Sequence, residues 1–197
     1  MKPYYDTHSV GLLLLVVLLA WLSMEAIQLA RQWQWRAGAT RVGRRSFWLG
    51  FGTCLLVTNL ALYLGPSVFP AATIRPGAVV FAAGMVIMVT GVVLRGWSFH
   101  ALGQYFTAVI KVSPDQPVVT KGPYRLLRHP SYAGGLLAEV GIAVTAANWV
   151  SVAVFVAAWT AIIAWRIHIE ETALLSTLGE KYCSYASDHK RLIPLIW

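Results

Sequence analysis

Charge is scarce in this chain. Of its 197 residues only 12% are charged, with 8 acidic residues against 16 Lys and Arg. Soluble chains carry about 25%, so an ordinary solvated globular domain is excluded. Cysteine is nearly absent. Cys54 and Cys183 lie far apart, and no Cys-x-x-Cys or Cys/His spacing exists, which suggests neither a disulfide framework nor a metal site. No small-x-small cleavage site follows the first apolar run, which continues through Trp21, Met24 and Ile27 after Lys2; it reads as a retained span rather than a removed leader. Internal repeats and low-complexity tracts are also missing. The net charge of +8 forms no continuous basic face, because the positive residues fall between apolar runs. That pattern excludes nucleic acid as partner and points to membrane orientation.

What is abundant is apolar. Hydrophobic residues reach 57%, and nine Trp and eight Tyr suit the polar edges of a bilayer. A spanning helix needs about 20 mostly apolar residues. Val10–Leu29 and Phe47–Leu64 qualify, the second closed by Gly65-Pro66, and Gly77–Trp97 follows Pro76, well placed to open a helix. The run from Tyr132 to Trp165 is too long for one span, and Asn148-Trp149 near its middle predicts a tight hairpin of spans over 132–147 and 149–165. The expected fold is an all-α polytopic membrane protein with five transmembrane helices and a cytoplasmic C-terminal helical segment, forming one domain over 1–197.

Five spans put the termini on opposite sides. With the N-terminus outside, Arg31–Arg45, Arg95–Arg128 and Arg166–Arg191 face inward and hold 14 of the 16 Lys and Arg, leaving only Lys2 and Arg75 outside. This asymmetry is what the positive-inside rule expects. The inward segments are also the chemically rich ones. Trp97–Lys111 is moderately apolar and fits either an interfacial stretch or a continuation of the third helix. Trp165 to His189 reads as helical, broken at Gly179.

Two clusters invite a functional reading. Lys121-Gly-Pro-Tyr-Arg-Leu-Leu-Arg-His-Pro-Ser-Tyr132 gathers titratable groups and tyrosines on a backbone stiffened by Pro and Gly; an ordinary basic loop with interfacial tyrosines is the plainer alternative. Arg166-Ile-His-Ile-Glu170-Glu171 sets Arg166 and Glu170 one turn apart on a helix face. That pair is either a surface ion pair of little worth or a charged site at a depth where charges need partners or water. Glu139, about two turns inside a span, is read as structural, protonated or paired with a polar neighbour, and Glu25 as interfacial. His100 and His168 near inner span ends are candidate haem ligands, but no histidine pair occupies mid-membrane positions on facing helices, and haem is not expected.

Taken together, LGQYFTAVI, VVTKGPYRLLRHPSYAG, RIHIEE and LGEKYCSYASDHKRLIP resemble the isoprenylcysteine carboxyl methyltransferase family, with the membrane phospholipid methyltransferases related to it. The resemblance covers about Leu102 to Pro194. It implies a multi-span helical protein that binds S-adenosylmethionine at the cytoplasmic face and releases S-adenosylhomocysteine, with 102–194 as the cofactor and catalytic region. It further implies a pocket made by Gln116, Pro117, Val118, Val119, Tyr124, His129, Pro130, Ser131 and Tyr132, with Glu170 touching the cofactor and Arg166 the substrate. Where the family often has an amide or histidine upstream of Gln116, this chain offers Ala108, Val109 and Lys111.

The chemistry of these residue types suits that role. Aromatic faces and a carboxylate stabilise a sulfonium cation. Arg166 can grip a substrate carboxylate with its planar fork. Such an acceptor needs no strong base, whereas an amine or thiol acceptor would, with Glu170 the obvious choice. The expected partners are a lipophilic or lipidated acceptor, entering sideways from the inner leaflet, and membrane lipid. A phospholipid amine or small thiol is the alternative acceptor; a small transporter or a membrane scaffold is the non-enzymatic alternative. The enzymatic reading requires His129 and Glu170 to converge on one cavity.

Overall fold

A computed structural model describes residues 8–33, 48–50, 52–53, 56–57, 60, 66–75, 77–106, 112–194 and 197. Its helices are α1 (His8–Trp33), α2 (Gly77–Leu102), α3 (Pro130–Thr145), α4 (Trp149–Leu178) and α5 (Glu180–Asp188), with short 3-10 turns at Pro70–Ala72, Gly103–Tyr105 and Gly122–Arg125. No strand occurs among the described residues. Among the described residues, three segments are long and apolar enough to cross a membrane: Gly11–Gln28, Gly77–Tyr105 and Trp149–Leu178. The chain is therefore an all-helical, multi-pass membrane protein. Side chains such as Leu12, Val16, Val86, Val93 and Val154 stay exposed on the outer faces of these helices, where lipid replaces water as the solvent.

The expected helix limits shift in three places. The third expected span runs past Trp97 to Leu102 before a 3-10 turn ends it, and the fourth opens at Pro130. The fifth does not stop at 165. It continues unbroken to Leu178, because no Gly or Pro interrupts it before Gly179, whose φ of 56° ends the helix. Arg166 to Glu171 therefore lie within a long helix, not at the start of a separate one. The expected span over 47–64 falls largely outside the described residues, as do Lys2, Cys54, Ala108, Val109 and Lys111.

The tightest seam joins α2 to α3, and glycine makes it possible. A Cβ built at Gly134 would stand 2.6 Å from the backbone nitrogen of Arg95, and one at Gly84 would stand 2.8 Å from the Gly141 carbonyl. Small residues let two membrane helices approach to backbone contact, where packing and not water expulsion holds them. Ser98 and Met88 are completely buried in this region.

The predicted hairpin at Asn148 is present, and its mechanism is visible. The Asn148 side chain caps α4 by accepting from the amides of Val150 (3.0 Å) and Ser151 (3.2 Å), while its amide donates to the Phe69 carbonyl at 2.9 Å. Ala147 takes a φ of 49° to complete the turn. At the opposite end of the bundle the C-terminal tail returns to the loop before α3. The amides of Arg128 and His129 donate to the carbonyls of Lys190 (2.7 Å) and Arg191 (3.0 Å), and Leu192 packs with Leu127, Ala133, Ile163 and Ile167.

Candidate functional site

The loop between α2 and α3, the first turns of α3, the middle of α4 and α5 surround one cavity at that tail-bearing end. Gln116, Pro117, Val118, Val119 and Tyr124 line it from the loop, His129, Ser131 and Tyr132 from the start of α3, and Arg166 and Glu170 from α4. Of the residues expected in the pocket, Pro130 alone stands behind the wall, fully buried at the first position of α3. The convergence of His129 and Glu170 on a single cavity, required above, is present.

Proline fixes the geometry at the α3 entrance. Pro130 presets the helix start, so His129 is held buried just before it. The cavity face of α3 then carries Tyr132, whose hydroxyl donates to Glu170 Oε2 at 2.8 Å and receives a bond from Arg166 Nε at 3.3 Å. The Arg166 guanidinium also stands 5.9 Å from the Tyr132 ring centre. Tyr132 thus ties the two α4 residues together. Tyr124 is buried opposite, and burial, helped by the negative charge of Glu170, pushes its hydroxyl well above the ordinary tyrosine range. A phenol so held stays neutral and acts as a hydrogen-bonding, aromatic wall.

Glu171 was not singled out by sequence reasoning, yet it organises this end of the molecule. Its Oε1 accepts from Arg128 Nη1 at 2.8 Å and lies 3.2 Å from His129 Nε2, while its Oε2 accepts from Arg191 Nε at 2.9 Å. Loop, α3 entrance and tail are therefore clamped on one buried carboxylate. His129 takes its direct partner from Glu171, not Glu170. Tyr185 adds a second clamp, its hydroxyl within reach of the carbonyls of Tyr124 (2.7 Å) and Leu127 (3.1 Å). Burial, slightly offset by Arg128, raises the Tyr185 hydroxyl to about 12.

Deeper in the bundle the walls change character. Trp21 and Leu22 from α1 and Trp159, Ile162 and Ile163 from α4 line the cavity together with Glu25, Arg95, Gly135 and Glu139. Glu25 is not simply interfacial: Arg95 Nη2 donates to its Oε2 at 3.0 Å, and Arg95 Nη1 donates to the Ser131 carbonyl at 3.0 Å. Arg95 also sits 4.9 Å from the Phe99 ring centre and 5.6 Å from that of Trp21. The signal available in sequence was one arginine and one glutamate inside apolar runs, a pattern that demands partners without naming them. His100 and His168 are exposed and do not line the cavity.

The arrangement joins a polar compartment of tyrosines, a histidine and a carboxylate to a largely apolar one, with an arginine at the junction. Comparison with known proteins agrees with the motifs. The model of the isoprenylcysteine carboxyl methyltransferase (ICMT) family matches residues 83–176. Protein-S-isoprenylcysteine O-methyltransferase A of Arabidopsis thaliana is 34% identical over 115 residues, covering 57% of this chain and 58% of that protein. The corresponding Tribolium castaneum protein is 32% identical over 115 residues, 57% of this chain and 41% of its own length. A solved structure of the eukaryotic intramembrane Ras methyltransferase of the same name superposes with a TM-score of 0.63 at 27% identity, covering 74% of this chain and 52% of that one. The chain thus spans between about two fifths and three fifths of the length of these relatives, and over that stretch its resemblance to the family is borne out.

Proposed function

With that resemblance as premise, we propose that this chain is a membrane methyltransferase that transfers a methyl group from S-adenosylmethionine to a lipophilic acceptor, the carboxylate of a prenylcysteine-like compound. The observation that carries this reading is a single cavity whose polar wall (Gln116–Val119, Tyr124, His129, Tyr132, Glu170) meets an apolar one at Arg166. The named relatives methylate isoprenylcysteine, by their descriptions.

The residues present suit the cofactor. Tyrosine faces and the Glu170 carboxylate favour a sulfonium cation, and the loop strip Gln116-Pro117-Val118-Val119 offers backbone groups to an adenosine or amino acid tail. His129 and Ser131 flank the same compartment, and Pro130 sets the backbone that presents them. When bound, S-adenosylmethionine supplies an electrophilic methyl group. The chain's own task is alignment. Arg166 grips the acceptor carboxylate in its planar fork, and the Tyr132 hydroxyl fixes Arg166 against Glu170. Placing donor and acceptor in register can supply roughly 7–11 kcal/mol of the barrier reduction. The apolar wall of Trp159, Ile162 and Ile163 keeps water from competing. A carboxylate acceptor needs no base; an amine or thiol acceptor would recruit Glu170.

In this reading the whole chain is one domain with 102–194 as its cofactor and catalytic region, the cavity opens to the cytoplasm, and the N-terminus lies outside. Soluble cofactor enters over the 116–132 loop, and the acceptor enters laterally from the inner leaflet. The test is a labelled methyl-transfer assay on detergent-solubilised protein with prenylcysteine, phospholipid and thiol acceptors, paired with calorimetry using S-adenosylhomocysteine. Saturable binding with label in the prenylcysteine fraction is expected. Absence of binding would leave a transporter or scaffold as the better description.

A further inference from the structure

The family model matches residues 83–176 and so leaves α1 outside the matched stretch, yet α1 supplies part of the cavity wall. Trp21, Leu22 and Glu25 line the same cavity as Tyr132 and Arg166. One stripe of α1 turns inward: Leu14, Leu18, Trp21 and Glu25 follow the four-, three- and four-residue steps of a single helix face. Trp21 is buried against Met88, Ala138 and Ile142. One turn on, Glu25 accepts from Arg95 Nη2 of α2 at 3.0 Å. Arg95 Nη1 in turn donates to the Ser131 carbonyl at 3.0 Å and lies 3.3 Å from Ser131 Oγ. Ser131 precedes Tyr132, whose hydroxyl holds Arg166 Nε at 3.3 Å. A relay of direct contacts thus runs from α1 to Arg166.

Two physical points give that relay a role. Apolar helix faces gain little by leaving lipid for one another, so the leucines of the stripe alone fix neither the rotation nor the depth of α1. An ion pair inside a span fixes both, because separating its partners strands charges where they are penalised. The Arg95 guanidinium also stands 5.6 Å from the Trp21 ring centre, which puts the indole at the level of the Arg95–Ser131 bond. The surface that α1 brings there is apolar and bulky. We propose that α1 is the acceptor-selecting wall of the cavity: Trp21 and Leu22 bound the space for the acceptor's lipid chain and set its preferred length. Glu25, through Arg95, is a positioning residue that holds this wall in register with Tyr132 and Arg166. Selection of this kind depends on bulk. An apolar pocket that gains or loses room for one small group shifts kcat/KM by about 10- to 200-fold.

This inference rests on the methyl-transfer reading of the same cavity, and the experiment separates the two. The full chain in nanodiscs is given labelled S-adenosylmethionine and N-acetyl-S-prenyl-cysteines that differ only in their number of isoprene units. The readout is the ratio of kcat/KM for the longest acceptor to that for the shortest, with S-adenosylhomocysteine affinity measured alongside. Trp21→Ala opens a void continuous with the cavity and should raise the ratio at least about tenfold. Leu22→Trp narrows the same space and should lower it by about tenfold. Leu22 is 51% exposed, so this variant decides the question even where Trp21→Ala fails to fold. Glu25→Gln keeps the shape and removes the charge; it should raise KM for every acceptor about tenfold while S-adenosylhomocysteine affinity holds. An unchanged KM there removes the positioning role. A ratio that Leu22→Trp leaves within about twofold of the unmodified protein, or that both wall variants move in the same direction, overturns this proposal alone. No methylation of any acceptor by the unmodified protein, together with no binding of S-adenosylhomocysteine, overturns the functional reading and this proposal with it.

Discussion

Glu170 and Glu171 are adjacent in α4 yet sit in two different kinds of region. Around Glu171 the structure is saturated: Arg128, His129 and Arg191 converge on its two oxygens and leave it with no cavity surface. Around Glu170 the structure is open, with one hydroxyl from Tyr132 as its hydrogen-bonded neighbour and the remainder of the carboxylate facing the cavity. A saturated carboxylate holds elements together; an open one has capacity for a ligand. The difference teaches that charge at a membrane edge is not one property but two, and that hydrogen-bond occupancy separates them.

The comparison breaks most severely if the saturated side is emptied. Glu171→Ala leaves two arginines and a histidine without their shared anion, and removing one partner of a buried ion cluster typically costs about 3–5 kcal/mol. Thermal unfolding in detergent should show this as a large fall in Tm, accompanied by loss of S-adenosylhomocysteine binding because the loop and tail separate. A Tm within a degree of the unmodified protein would contradict the clamp.

A change on the open side should act on chemistry with little effect on folding. Arg166→Lys keeps the charge but loses the planar fork, and methyl transfer should drop on the order of 100-fold, about 3 kcal/mol of transition-state binding. Affinity for S-adenosylhomocysteine and Tm should stay within experimental scatter. If cofactor affinity fell in parallel with turnover, Arg166 would belong with the clamp instead.

The smallest effect sharpens the boundary between the regions. Tyr185→Phe removes a hydroxyl bonded to loop carbonyls and should cost about 1 kcal/mol. Because burial raises this phenol to about 12 against an ordinary value near 10, its contribution is complete below pH 10. It is lost progressively as pH rises toward 12. The Tm gap between the unmodified protein and Tyr185→Phe should therefore be constant from pH 7 to about 9.5 and close above pH 10. A gap that persisted at pH 11 would show that the hydroxyl is not protected as described.

Much of this was legible in the sequence, and for identifiable reasons. The α3–α4 hairpin could be located because an apolar run too long for one span contained Asn148, a residue that caps helices with its side chain. The cavity's polar wall could be named because 121–132 combines Pro, Gly, Tyr and His in a motif that resembles a known family. Other features were hidden. The continuity of α4 past Trp165 was missed because hydropathy falls there while the backbone has no reason to stop. The Glu25–Arg95 pair spans seventy positions in the chain, and no local pattern links two charges so distant.

By itself the sequence determined the medium and the inventory: apolar runs of membrane length, basic residues gathered between them, and the residue types that the proposed methyl transfer would use. Only the tertiary structure decided which of those residues face one another. Successive residues on a helix point about 100° apart, so the packing of α3 and α5 against α4 turned Glu170 toward the cavity and Glu171 into the clamp.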